Sequence, residues 1–261
     1  MITASEIRNR SGERIDHTFH PGARADALVI LGHGVTGNKD RPHLIALAEG
    51  LAARGWPCLR ISFSGNGESE GRFEDSCITK EIGDLQVVLD AVPDTAQAAY
   101  IGHSMGAAVG VLTAARDLRI RALVSLAGMT HTASFVQREF GDVTPGEGCM
   151  WEDENCPLSQ TYVADLTSLG DTLSAAEAVT QPWLLVHGTA DDLVPLQDSR
   201  DACDAAICEK QLLEIAGAEH SFDEASYEEL VAAVDGWLTI AFGAVVCSSS
   251  MNESRDKSRA L

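Results

Sequence analysis

The chain has 261 residues, 45% hydrophobic and 22% charged, enough to bury one sizeable core, and α/β folds of this length often form a single domain. With 19 Lys and Arg against 39 Asp and Glu the formal net charge is -20, and no basic run interrupts it, so nucleic acid is excluded as an expected partner. The acidic excess predicts solubility and a general repulsion of acidic substrates, although net charge says little about the field inside a small pocket.

The predicted elements alternate short apolar runs with longer segments of helical period, the pattern of a mainly parallel sheet flanked by helices. Residues 6–8 and 14–18 flank a Ser11-Gly12 turn and predict an antiparallel hairpin at the sheet edge. Residues 27–31 read as a buried strand, 43–54 as a helix, 57–63 as a strand and 78–92 as an amphipathic helix. Strands follow at 98–102, 122–126 and 183–187, with a small-residue helix at 107–115. A last strand at 210–215 precedes a helix over 227–242, whose Leu230, Val231, Val234, Trp237 and Leu238 share one face. The alternation breaks between 128 and 181, where Gly, Pro, Asp, Glu and Cys accumulate before a helix-like stretch at 173–179. A long irregular insertion after a strand is usually functional, so 129–181 is expected to form a lid within a domain spanning 1–247. The polar tail 248–261 is expected to be disordered.

The first residues lack the apolar stretch of a secretory signal, and no segment reaches the roughly 18–20 apolar residues of a membrane span. A cytoplasmic protein is the expectation. Seven cysteines at irregular spacing, without a C-x-x-C pair, predict reduced thiols rather than a disulfide framework. Cys149 and Cys156 lie close enough for a bridge or a metal pair to be conceivable, but no His stands beside them. No cofactor fingerprint occurs, since the glycine turns lack Gly-x-Gly-x-x-Gly spacing and no Gly-Lys-Ser/Thr is present. Neither a cofactor nor a metal is therefore expected.

Gly102-His103-Ser104-Met105-Gly106 follows a predicted strand and opens a small-residue helix, the context a nucleophile elbow requires. The tight turn would project the Ser104 hydroxyl above the sheet, with glycines on both sides to avoid clashes. A hydroxyl of ordinary pKa needs a base and an orienting acid, expected downstream in the order Ser, Asp, His. His220, in Gly217-Ala218-Glu219-His220-Ser221-Phe222, follows the last strand, and Asp191 follows the strand ending at His187. Asp191 would fix the His220 tautomer; Asp192 is the competing acid. An oxyanion would need two backbone donors, and the amides of Met105 and Val35 are the candidates, with His33 supporting the loop. Met150, Trp151 and Tyr162 are candidate substrate contacts in the lid.

These residues resemble a known family. His33-Gly34-Val35-Thr36-Gly37-Asn38-Lys39, Gly65-Asn66-Gly67-Glu68-Ser69-Glu70-Gly71, the elbow, 187–195 and 217–222 fall in register with α/β-hydrolases of the serine aminopeptidase-like and cinnamoyl or feruloyl esterase group. Phe73-Glu74-Asp75 adds to the likeness, while Ser62, Ser64 and Asn66 depart from residues common in relatives. The resemblance implies an α/β-hydrolase fold, a metal-free acyl-enzyme mechanism and a small-molecule carboxylic ester as substrate. Thioesters and small amides are the alternative for the same machinery, and a non-catalytic binding module is the remaining one. A homo-oligomer is compatible with the sequence.

Overall fold

A computed structural model describes residues 6–243. The tail 248–261 and the end of the expected domain at 247 lie outside the described residues. The N-terminal hairpin pairs β1 (Ile7–Arg8) antiparallel with β2 (Arg14–Ile15), its turn carried by Gly12 at φ 82°. It forms a two-stranded sheet of its own, so the expected edge position belongs instead to β3 (His17–His20), which runs antiparallel along one rim of the main sheet.

That sheet has seven strands in the order β3-β5-β4-β6-β7-β8-β9. The remaining members are β4 (Ala27–Gly32), β5 (Cys58–Ile61), β6 (Gln97–His103), β7 (Ile120–Leu126), β8 (Trp183–Gly188) and β9 (Lys210–Ile215), all mutually parallel. Alternation along each strand divides the core. Leu28, Ile30, Tyr100, Leu123 and Leu185 face one layer, and Val29, Leu31, Ile101, Val124 and Val186 the other. Helices α1 (Pro42–Ala53) and α8 (Tyr227–Phe242) cover the second face with Leu44, Leu47, Leu51, Leu230, Val234 and Leu238. The first face is covered by α2 (Ile78–Asp90) and α3 (Met105–Ala114), then by the elements that follow β7.

Segment 129–181 is far more ordered than its composition suggests. It carries α4 (Thr132–Phe140), a short 3₁₀ turn at Met150–Glu152, α5 (Gln160–Leu169) and α6 (Leu173–Ala178), of which only α6 was legible as a helix. Phe135, Phe140, Met150, Tyr162 and Leu166 are buried in the first-face core, so this segment packs down on the sheet layer. The hydroxyl of Ser159 caps α5 by accepting from the Tyr162 amide at 3.0 Å. Helix α7 (Leu196–Ala205) also escapes a hydrophobic reading, because its buried face is Asp198, Ser199 and Ala202. Asp198 takes up the amides of Thr130 and His131 at 2.8 and 3.0 Å, which ties α7 to the start of this segment.

β4 and β6 are neighbours, but the chain leaves β4 to build β5 on one side before returning to build β6 on the other. Loops diverge at such a switch point, and the crevice beyond the strand ends is where parallel sheets hold ligands. The loop after β4 and the turn after β6 meet there.

Candidate active site

Ser104 stands between the last residue of β6 and the first of α3, at φ 56° and ψ -119°. A non-glycine residue there costs on the order of 1–3 kcal/mol and persists only where the surroundings enforce it. The enforcement is close packing. A Cβ on Gly102 would come within 2.2 Å of the Gly106 carbonyl oxygen, and one on Gly106 within 2.4 Å of the His33 carbonyl oxygen. The Ser104 amide is held by the Leu126 carbonyl at 2.8 Å, at the end of β7. Its Oγ is buried and has no hydrogen-bond partner among the described residues.

His220 Nδ1 lies 2.8 Å from Asp191 Oδ2, and the Asp191 side chain is fully buried. Asp192 is exposed, and Asp191 is the acid that reaches His220. The amides of Leu193 and Val194 donate to Asp191 Oδ1, each at 2.9 Å, and His187 Nε2 lies 3.1 Å from Oδ2. Burial alone would raise this carboxyl, but the hydrogen bonds from His187 and His220 outweigh it and hold the group well below the usual carboxylate range. An ionised Asp191 accepts only, so Nδ1 of His220 donates and Nε2 is left as the basic nitrogen.

His187 is a residue the sequence reading left unassigned. Wholly buried at the end of β8, it donates from Nε2 to the Val194 carbonyl at 2.9 Å and bonds Ser199 through Nδ1 at 2.7 Å. It thereby closes the 188–194 loop around Asp191. The signal was a strand ending on His just ahead of the acid, and chain order alone could not say which way the ring turned.

The loop after β4 is fixed through His33. The Phe63 amide donates to His33 Nε2 at 2.9 Å, so Nδ1 carries the proton and donates to the Gly34 carbonyl at 2.8 Å. Complete burial keeps this ring neutral, its pKa lowered to about 4. Gly34 then lies so near the elbow that a Cβ there would meet Ser104 Cβ at 2.7 Å. Neither the Val35 nor the Met105 amide has a backbone acceptor among the described residues, and Met105, opening α3, has no intrahelical one. Ser62, at one of the atypical positions, accepts the Lys39 amide at 3.1 Å and helps anchor the far end of the loop.

A cleft of about 110 Å³ opens over Ser104, with Val35, Arg41, His43, His103, Trp151, Leu193 and His220 among its walls. Ser104 and His220 share this cleft without a direct hydrogen bond, as is common in unliganded sites that tighten around substrate. Trp151, at φ 49° and partly exposed, reaches it from segment 129–181; Tyr162 instead is wholly buried. A much smaller cavity, about 10 Å³, is lined by Val35, Met105, Met150, Tyr162, Ser76 and Glu81. Both Glu81 oxygens and the Tyr162 hydroxyl are buried without partners.

Among the described residues no His, Cys, Asp and Glu cluster is arranged to hold a metal ion. Cys149 and Cys156 are free thiols; Cys149 bridges Pro157 through the backbone, and the Met150 amide donates to the Cys156 carbonyl at 2.8 Å. Cys58 and Cys77 are buried, which pushes their thiols up to about 12 and about 11. No helix among the described residues is long and apolar enough to cross a membrane.

Residues 27–148 match a family described as alpha/beta hydrolase fold. This chain has the α/β-hydrolase fold. The likeness extends over almost all of it in Est1E from Butyrivibrio proteoclasticus, solved with ferulic acid bound, at a TM-score of 0.82 and 24% identity over 92% of this chain and 100% of that one. The Pyrococcus furiosus esterase Pf2001 superposes at a TM-score of 0.70 with 20% identity, covering 92% of each chain. An uncharacterized Salmonella typhi protein, YfhR, is 27% identical over 235 residues, 84% of this chain and 73% of that one. The resemblance to the feruloyl esterase group read from the motifs is thus matched by an α/β-hydrolase architecture of the same shape.

Proposed function

We propose that this α/β-hydrolase is a serine carboxylic-ester hydrolase acting through an acyl-enzyme on small acyl or aryl esters. The observation that carries the reading is the unpartnered, strained Ser104 opening into one cleft with His220, whose far nitrogen is held by buried, ionised Asp191. Ser104 Oγ attacks the ester carbonyl carbon while its proton passes to His220 Nε2. The oxyanion forms against the amides of Val35 and Met105, which no backbone acceptor occupies. Collapse breaks the bond to the alcohol oxygen, which leaves with the proton from His220. Water, deprotonated by His220, then attacks the acyl-Ser104 ester and releases the acid. Asp191 stabilises the imidazolium formed in each half, and His103, donating from Nε2 to the His220 carbonyl at 2.9 Å, anchors the backbone that carries the base.

Segment 129–181 acts as the lid, with Trp151 its contribution to the cleft wall. Likeness in shape to Est1E and Pf2001, both esterases, favours the ester over other acyl substrates. The test is the initial rate on short p-nitrophenyl esters and on a methyl hydroxycinnamate, for the wild type beside Ser104→Ala. Turnover by the wild type and its loss in a folded Ser104→Ala is the expected result. Equal rates in the two proteins would remove Ser104 from the mechanism, and a folded wild type inert on every ester would move the reading to thioesters or amides.

A further inference from the structure

The cleft over Ser104 is an electrostatic exception in this protein. The chain carries 39 acidic residues against 19 basic ones, yet no Asp or Glu is among the residues that line the cleft. Its walls hold Arg41 and the imidazoles of His43, His103 and His220. Two carboxylates back its walls without lining it: Asp191 lies beneath His220 with both oxygens occupied, and Glu139 accepts from Trp151 Nε1 at 3.2 Å.

Among the described residues Arg41 makes no ion pair, and its guanidinium makes one hydrogen bond, from Nη2 to the Thr36 carbonyl at 2.9 Å. The adjacent acid is spent elsewhere, because Asp40 binds both Lys39 and Arg60. Arg41 is also the N-cap of α1, a helix with no acidic residue in its first turn, so the positive end of that helix faces the cleft uncompensated. A second observation points to a ligand. His43, in the first turn of α1, is 2% exposed and lines the cleft, and its Nε2 has no partner among the described residues. Its ring lies 4.3 Å from that of His103 at a tilt of 53°, and His103 in turn lies 4.8 Å from His220, so the three rings form one row along the wall they share. Burial first, then the charges of His220 and Arg41, lower the His43 pKa to about 3, leaving a neutral ring whose Nε2 can offer a hydrogen bond.

We propose that Arg41, assisted by His43 and the start of α1, is a carboxylate-recognition subsite, and that the preferred substrates are esters whose alcohol portion carries a carboxylate. The alcohol side follows from the shared walls: the leaving oxygen must be within reach of His220, and Arg41 and His43 line the same chamber as His220. A carboxylate suits a guanidinium with free donors, since charge-assisted pairs of this kind are stronger than neutral hydrogen bonds. The anion enters a locally positive cleft although the molecule as a whole repels it. This inference rests on the ester-hydrolase reading for its chemistry, but not for its binding step.

The test uses 4-acetoxybenzoate and its methyl ester, which differ by one charge on the alcohol side. The wild type is expected to show the higher kcat/KM on the anion. Arg41→Gln should lower that value by about 10- to 100-fold, and by a much smaller factor on the methyl ester, while Arg41→Lys restores most of the preference. A fall by the same factor on both esters would mean that Arg41 only holds the Thr36 loop, and would overturn the proposal. Binding of 4-hydroxybenzoate to folded Ser104→Ala, with and without Arg41→Gln, decides the matter independently of turnover. Binding weakened at least tenfold by Arg41→Gln upholds the subsite even if the ester reading fails, and binding indifferent to Arg41 sinks it even if esters are hydrolysed.

Discussion

Three carboxyl groups with buried side chains, Asp191 in the loop after β8 and Glu81 and Asp84 on α2, behave differently. Asp191, beneath His220, accepts from the Leu193 and Val194 amides and from His220, with the His187 Nε2 proton shared between it and the Val194 carbonyl, and is held ionised. Asp84, on α2, accepts from the Ser64 amide and Asn9 Nδ2, each at 2.8 Å, and burial leaves its pKa raised in spite of them. Neither oxygen of Glu81, one turn earlier, meets a donor in hydrogen-bond geometry among the described residues, and burial together with the charge of Asp84 drives it well above its ordinary value. All three side chains are buried, so the donors that each one meets set the direction of its shift: the carboxyl against His220 is held down, and the two on α2 are pushed up.

The sharpest way to break this contrast is to neutralise the donor-rich acid. Asp191→Asn should lower kcat by something like 10⁴ with the fold retained, because the amide favours the wrong His220 tautomer. Retention of turnover in a stopped assay of that variant would place the orienting role elsewhere. Next, Asp84→Asn should lower the free energy of unfolding by about 1–3 kcal/mol, since an amide with one acceptor oxygen leaves one of its two donors unpaired. A urea midpoint equal to the wild type would contradict it.

Smallest near neutrality is the effect of Glu81→Gln, and its sign depends on pH. A carboxyl whose folded pKa is raised stabilises fully below its unfolded value of 4.5, and that contribution is lost as pH rises through the folded value. Wild-type stability should therefore fall as pH rises above about 4.5, by at most about 1.4 kcal/mol per pH unit from this group. The Gln variant should lose that slope. Parallel slopes in urea titrations of the two proteins would show that Glu81 is ionised in the folded state.

Much of this arrangement was legible in the sequence, and the reasons for the rest are physical. The parallel strands announced themselves as apolar runs because both faces of each are buried, and the elbow because only glycine tolerates the contacts at 102 and 106. Segment 129–181 hid three of its four helical pieces, since α4 and α5 bury only scattered residues such as Phe135, Phe140, Tyr162 and Leu166 between turns rich in Gly, Pro and Asp. Helix α7 hid because its inner face is polar and satisfied by hydrogen bonds. At the site, Ser104, Asp191 and His220 could be picked out by chain order and loop context. His187 and the unpaired Arg41 could not, because their meaning lies in which partners they have and lack in space.

The backbone of Ser104 carries a cost that the protein bears at every moment, whether or not it is turning over. Glycine would sit at φ 56° and ψ -119° without strain, so a chain selected only for heat tolerance would drift toward it and lose the hydroxyl. Alanine keeps the backbone strain and sheds only the unpartnered hydroxyl, which makes Ser104→Ala a twin of the wild type in the shape of its elbow.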